Sequence, residues 1–396
     1  MIKRKEYLDQ LISFRDKQLV KVVMGIRRCG KSTLLELFRE ELVNSGVADD
    51  QITVINFADA DNEPMMDRKA LYDYIKARLI PDKMNYIILD EIQHVDEWQR
   101  VVDSLFIKKN CDVYITGSNA YLLSGELATL LSGRYVEIKM LPLSFAEYVS
   151  ATGGQGDLTR KYTAYLTNSS FPYALELDKP KDIRAYLDGI YNSVVLKDVV
   201  KRKKIADVSA LESVIRFMFD HIGNLSNAKS IADTLTSAGR KISTHTVESY
   251  LEALCDSFIL YKTGRYDVKG KQYLKTGDKY YVADIGLRYY LLGSQKADMG
   301  RALENVVYLE LLRRGYEVWI GKVGTNEVDF VATNEEGVSY YQVALTVRDE
   351  NTLTRELRPL DAISDHNPKV LLTLDDDPDA SHNGIRQMYA LDWLLK

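Results

Sequence analysis

Gly25-Ile26-Arg27-Arg28-Cys29-Gly30-Lys31-Ser32 is the stretch that decides the fold. It satisfies G-x-x-x-x-G-K-[ST] at every fixed position, and its context agrees: the apolar run Leu19–Met24 reads as a strand before it and Lys31–Glu41 as a helix after it. Glycines let successive main-chain N–H groups curl around phosphate oxygens, and the helix N-terminus adds positive potential. A lysine at 31 reaches the β- and γ-phosphates of a nucleoside triphosphate, and a serine at 32 offers an oxygen to Mg²⁺. The expected nucleotide-binding set is Gly25, Arg27, Arg28, Cys29, Gly30, Lys31, Ser32 and Thr33, with ATP and Mg²⁺ as cofactors. A ligand-free glycine turn before a helix is the competing reading, and the flanking strand and helix argue against it. Cys29 reads as a small loop filler, with an oxidation-sensitive thiol as the alternative.

Working outward, Tyr86-Ile87-Ile88-Leu89-Asp90-Glu91 is an apolar strand with an acidic end. Asp90 is then placed to hold the Mg²⁺ shell, and Glu91 to polarise the attacking water. The next strand, Cys111–Thr116, runs into Gly117-Ser118-Asn119. A polar tip there lies beside the phosphate loop, so Ser118 and Asn119 are candidates to touch the γ-phosphate or the water; a helix N-cap is the alternative for each. Arg134 precedes the strand Tyr135–Lys139. It reads either as an arginine finger for a nucleotide on a neighbouring subunit or as a surface ion pair. Strands near residues 19–24, 51–57, 86–89, 111–116 and 135–139, with helical patterns between them, indicate an α/β fold with a parallel sheet covered on both faces.

The rest of the composition bounds the function. The 396 residues are 46% hydrophobic and 28% charged, with net charge −5, so no chain-wide basic field advertises nucleic acid. Three scattered cysteines and five histidines without H-E-x-x-H spacing give no disulfide framework or zinc site. The N-terminus lacks the apolar run of a signal peptide, and no apolar stretch approaches the ~20 residues of a membrane span. The expectation is a soluble cytoplasmic protein.

Beyond Pro142 the pattern turns helical as far as the basic run Lys201–Lys204. Three helices and a ribbon follow, with helices at Ile231–Ala238 and Thr244–Leu254 joined through Gly239–Ser243, and a hairpin over Tyr261–Val282. This reads as a helix-turn-helix with a wing. Ser243, Thr244, His245 and Thr246 open the third helix, the recognition helix of such a motif, and the ribbon carries Lys262, Arg265, Lys269, Lys271, Lys275 and Lys279 against Asp267 and Asp278. Such a surface suits a phosphate backbone, so duplex DNA is a candidate partner; a solvated or protein-docking ribbon is the alternative. A long helix, Leu303–Arg314, then leads to strands near Glu317–Ile320, Val328–Ala332 and Ser339–Val343.

Taken together, Gly25–Ser32, Leu89–Gln93, Thr116–Ser118, Ser132–Tyr135 and Pro142–Tyr148 resemble the motifs of a group of prokaryotic AAA-type ATPases of the AAA_14 kind. The resemblance implies an additional-strand (ASCE, AAA-type) P-loop NTPase with sheet order 5-1-4-3-2, the strand ending at Thr116 lying between those ending at Met24 and Leu89. It implies an ATPase core over 1–140, a helical lid or linker over 141–205, a winged helix over 206–293 and a nuclease-like α/β domain over 294–396. The second half looks like the DUF4143-type region that accompanies such cores. In a nuclease domain of the PD-(D/E)xK kind, Asp329 and position 342 would hold a metal and position 344 would carry a lysine. Here those positions are Gln342 and Ala344, so the fold is expected without the chemistry, leaving Glu304 and Asp329 as structural or binding residues.

Three functions remain in view: an ATP-driven switch with a DNA-binding appendage, a nucleotide-gated scaffold that recognises protein, and a metal-dependent nuclease. Tyrosines number 26 and several crowd residues 261–290, which suits a protein-binding surface as well. A homo-oligomer is a candidate assembly because of Arg134, and no membrane partner is expected.

Overall fold

A parallel sheet must bury its strands on both faces, and the central strands of this chain are written for that. In the computed structural model, which describes residues 2–120, 131, 133–154, 156–203, 205–293 and 298–396, β1 (Val20–Met24), β3 (Asn85–Asp90) and β4 (Cys111–Gly117) are buried at every position. β2 (Ile52–Asn56) and β5 (Tyr135–Lys139) are partly exposed, as edge strands are. All pair in parallel, in the order β2-β3-β4-β1-β5. The strand ending after Thr116 therefore lies between the phosphate-loop strand and the Asp90 strand, as the family resemblance implies. Helices α1 (Lys5–Ser13), α2 (Lys31–Asn44), α3 (Arg68–Lys76) and α4 (Trp98–Phe106) belong to the same unit.

One polar pair interrupts the apolar strands. Lys21, on β1, is fully buried and meets the Asp112 carboxylate of β4. Tyr114 donates to the other Asp112 oxygen at 2.8 Å, and the Lys21 ammonium also donates to the Lys17 carbonyl at 2.8 Å. Burial pulls the Lys21 pKa down against the attraction of Asp112, and burial pushes Asp112 up against the attraction of Lys21. Each partner makes the other's desolvation tolerable.

The chain divides into two compact units, Met1–Leu141 with Asp256–Phe258, and Pro142–Cys255 with Ile259–Lys396. The second unit opens with helix α5 (Phe145–Ala151), whose start explains the Pro142–Tyr148 motif. Ser144 accepts from the Glu147 N–H at 3.0 Å, and Glu147 reaches back to the Ser144 N–H at 2.8 Å, a reciprocal capping box. Helices α6 (Leu158–Asn168) and α7 (Pro180–Ile190) follow, and then α8 (Val208–Asp220), α9 (Ala228–Ser237) and α10 (Thr244–Asp256).

The ribbon of β6 (Leu260–Asp267) and β7 (Gln272–Val282) is an antiparallel hairpin, and Ser226 bridges to Asp278 beside it. The ribbon does not stand alone. Arg265, Tyr266 and Asp267 pair in parallel with Ile320, Gly321 and Lys322 of β8 (Glu317–Val323). It thus forms one edge of an eight-stranded sheet with β9 (Asn326–Asn334), β10 (Gly337–Ala344), β11 (Lys369–Thr373), β12 (Ala380–His382) and β13 (Ile385–Tyr389). This sheet crosses the boundary expected at residue 293. Helices α11 (Ile285–Leu292), α12 (Met299–Arg313), α13 (Glu350–Asp361) and α14 (Ala390–Leu395) belong to the same unit. Among the described residues no helix is long and apolar enough to cross a membrane.

Candidate functional site

The phosphate loop turns sharply out of β1. A Cβ at Gly25 would lie 2.0 Å from the Met140 carbonyl oxygen, so only glycine passes this point. At the far end of the loop Gly30 has φ 102°, a left-handed conformation that glycine adopts without strain, and α2 starts at Lys31. Between them Ile26 and Cys29 are buried, whereas Arg27 and Arg28 are exposed. Burial raises the Cys29 pKa against the opposing pull of Lys31 and Arg4, which keeps the thiol protonated and suits the loop-filler reading. Ser32 is exposed and Thr33 half-buried on the first turn of the helix.

Lys31 folds back over its own loop. Its ammonium donates to the Gly25 carbonyl at 3.1 Å and to Ser118 Oγ at 3.2 Å, with Glu91 Oε1 at 3.7 Å. Ser118 Oγ in turn donates to the Glu91 carboxylate, at 2.6 and 2.9 Å from its two oxygens. The end of β4 therefore bridges the loop lysine and the acidic strand end, as the T-G-S-N segment suggests. Asn119 is half-buried next to it. Asp90 is buried at the carboxyl end of β3 and accepts from Thr116 Oγ1, which also accepts from the Glu91 N–H at 2.9 Å.

Glu91 itself has φ 55°, a left-handed conformation that costs a non-glycine residue on the order of 1–3 kcal/mol. Gln93 donates to its carboxylate as well. Burial alone pushes the Glu91 carboxyl up, but the Lys31 ammonium, the hydrogen bonds from Ser118 and Gln93 and the Arg27 charge outweigh it and hold the group below the ordinary glutamate range. The result is an anionic carboxylate, fixed in direction, next to a cation. Arg134 lies elsewhere: it pairs with Asp103 at 2.9 Å with nearly half its side chain exposed, and packs over the Phe106 ring. Ser132 of its motif lies outside the described residues.

Sequence reasoning missed three contributors. Gln93 and Thr116 were inside quoted motifs, but nothing local says which carboxylate they hold. Arg4 gave no signal at all. It is 3% exposed, and its guanidinium donates to the Cys29 carbonyl in the phosphate loop at 2.8 Å.

The second candidate cluster also differs from expectation. Position 344 is alanine, but an amine arrives from another strand: Lys279 on β7 is buried, with Nζ 3.0 Å from Glu304, 3.0 Å from Glu327 and 3.8 Å from Asp329. Tyr281 donates to Glu304 at 2.7 Å, and the Val343 N–H donates to Asp329 at 2.9 Å. Gln342 accepts from the Asp329 N–H at 3.3 Å and donates to Glu356 at 2.9 Å. Lys279 is therefore an internal counter-ion and not part of a basic ribbon surface. Lys262 is also engaged, pairing with Asp278 at 2.9 Å, whereas Lys269 and Lys271 are exposed; the Lys275 side chain, Lys204 and the side chains of Arg202 and Lys203 lie outside the described residues.

The family model of an AAA domain (AAA_14) matches residues 17–149, and that of a domain of unknown function (DUF8612) matches 159–298, where a DUF4143-type region was expected. An uncharacterized protein of Haemophilus influenzae is 41% identical over 400 residues, covering 100% of this chain and 99% of that protein. The chain belongs to the same family as that protein. An uncharacterized protein of Methanocaldococcus jannaschii is 30% identical over 336 residues, which cover 80% of this chain and 72% of that one. Among solved structures, the Walker-type ATPase PABY2304 of Pyrococcus abyssi matches with a TM-score of 0.52 at 13% identity, covering 74% of this chain and 96% of that one. At that identity the likeness concerns fold, and the fold it supports is the AAA-type P-loop NTPase of this family's first unit.

Proposed function

We propose that this protein is a Mg²⁺-dependent ATPase that works as a nucleotide-driven switch. The observation that carries the reading is the chain of contacts from Lys31 through Ser118 to Glu91, set on a phosphate loop that only glycine can enter. Ser32 and Asp90 fit Mg²⁺ because both offer hard oxygen donors, and Mg²⁺ on a nucleotide keeps several waters and needs few protein ligands. Bound Mg²⁺ would neutralise charge on the phosphate oxygens. Lys31 and the loop amides bind and orient the triphosphate, Glu91 takes a proton from the attacking water, and Ser118 holds Glu91 in line.

Equilibrium titration with a fluorescent ATP analogue tests this. Lys31→Ala is expected to weaken binding by at least about a hundredfold, since hydrogen bonds to charged groups are each worth about 1.5–3 kcal/mol and Lys31 supplies more than one. Equal retention by both proteins would sink the ATPase reading.

The proposed output is duplex DNA bound by a winged helix formed from α8 to α10 and the ribbon, through Thr244, His245, Thr246 and the exposed Lys269 and Lys271. A protein partner is the second reading, and particular observations favour it: Glu248 and Glu252 are exposed on the same helix, Lys279 faces inward, and Ser243 is occupied in capping the helix, accepting from the Thr246 N–H at 3.1 Å. Filter binding to duplex DNA at low salt, with and without ATP, separates the two. Retention that falls steeply with salt supports DNA, and no retention in either state leaves protein.

A further inference from the structure

The segment before β1 holds a charged residue in an uncommon place. Arg4 has φ 42°, a left-handed conformation, and immediately precedes α1. Its guanidinium is buried and forks between two carbonyls, donating to Cys29 O at 2.8 Å and to Leu141 O at 2.7 Å. The plane lies over the Tyr7 ring, 5.0 Å from its centre, and the Tyr7 hydroxyl accepts from the Leu141 N–H at 3.1 Å. Met140, the residue before, donates to the Met24 carbonyl at 2.6 Å, and its own carbonyl is the atom that bars a side chain at Gly25. Both ends of the phosphate loop are thus tied to residues 140–141, one through the Met24 carbonyl and the other through Arg4.

The bond to Cys29 has a directional consequence. A trans peptide is planar, with its C=O and the following N–H pointing in opposite directions. Turning the Cys29 carbonyl toward Arg4 therefore turns the Gly30 N–H the other way, away from Arg4. A charged donor on the carbonyl also polarises the amide and makes that N–H a stronger donor. We propose that Arg4 is a positioning residue for triphosphate binding, presetting the Gly30 peptide through the Cys29 carbonyl and bracing the loop against the end of β5. This rests on the nucleotide-binding reading above.

The test uses the full chain and measures the dissociation constants of ATP, ADP and AMP with Mg²⁺, together with the midpoint of thermal unfolding. Arg4→Met keeps the apolar stem and removes both donors. It is expected to weaken ATP and ADP by about ten- to a hundredfold, the loss of one hydrogen bond to a charged group, and AMP less, because AMP offers fewer oxygens to the loop. Arg4→Lys, able to reach one carbonyl, is expected to fall between Arg4→Met and the parent. Tyr7→Phe loosens the same corner without touching the Cys29 carbonyl and is expected to leave nucleotide affinity unchanged. Parental ATP affinity in a folded Arg4→Met protein overturns the proposal. So does an equal loss in Tyr7→Phe at a similar unfolding midpoint, since that marks a general packing role. Where Arg4→Met does not fold, Arg4→Lys decides by the same criterion, and failure of both to fold assigns Arg4 to structure alone. A parent protein that binds no ATP would instead count against the ATPase reading itself.

Discussion

Glu91→Gln is expected to bind ATP within about threefold of the parent and to hydrolyse it about 10²- to 10⁴-fold more slowly, the usual contribution of a positioned general base. The substitution is close to isosteric. A glutamine can still accept from Ser118 through its carbonyl oxygen, so the bridge to Lys31 survives, and the left-handed backbone at position 91 is set by the Thr116 bond to its N–H, which a side-chain change does not touch. What is lost is the carboxylate charge and with it the capacity to take a proton, while Gln93, which now donates to the second oxygen, has to turn its own amide over to accept from the new NH2 group. Because Lys31, Ser118, Gln93 and Arg27 hold the Glu91 pKa below its ordinary value against the effect of burial, the carboxylate is ionised throughout the neutral range. The acid limb of the kcat/KM profile, which reports the nucleotide-free protein, should then lie below the ordinary glutamate pKa of about 4.3. Phosphate release under saturating ATP, alongside nucleotide binding, measures both halves. Turnover within a factor of a few of the parent would show that another group activates the water, and a matching loss of affinity would show that Glu91 serves to hold the loop lysine.

The first unit was legible because its chemistry is written locally. The loop, the Asp90-Glu91 strand end and the T-G-S-N tip each occupy a few consecutive residues, and a parallel sheet brings the carboxyl ends of its strands to one side. The order of strands followed from the family resemblance and is the one observed. What stayed hidden depends on distant pairings. Arg4 reaches Leu141 across 137 positions, and no period or spacing in a charged N-terminal stretch foretells that. Strands β11 to β13 were not read because they are short and lie among turn-forming residues. Lys279 was counted as a surface charge because the same ribbon carries other lysines, of which Lys262, Lys269 and Lys271 are exposed. Its side chain instead meets carboxylates from a later helix and a later strand, the first of them, Glu304, 25 positions on, so nothing local to the ribbon announces them.

Lys279→Met is therefore expected to be among the most destabilising single changes in the second unit, by about 3–5 kcal/mol, because removing one member of a buried charge cluster leaves the others unpaired. Glu304, Glu327 and Asp329 would face one another with only the Tyr281 hydroxyl and the Val343 N–H as donors among the contacts described above. The cluster is already poised near neutrality. Burial first, and the Glu304 charge second, push Asp329 up to about 8, opposed by Lys279 and the Val343 N–H. The sign of the pH effect follows. Between the ordinary aspartate pKa of about 3.9 and about 8, the folded protein holds a proton on Asp329 that the unfolded chain has lost, so stability declines as pH rises, by at most ~1.4 kcal/mol per unit, and levels off above. Asp329→Asn is expected to flatten that decline, and in the Lys279→Met background to recover part of the loss, since an amide has no proton to keep and no charge to bury. Added EDTA should leave the unfolding transition in place, the counter-charge here being a side chain. Denaturant unfolding of the four proteins at pH 6 to 9 provides the check. A Lys279→Met protein as stable as its parent, or a slope that persists in Asp329→Asn, would mean that water reaches these carboxylates and that the lysine is no more than a surface partner.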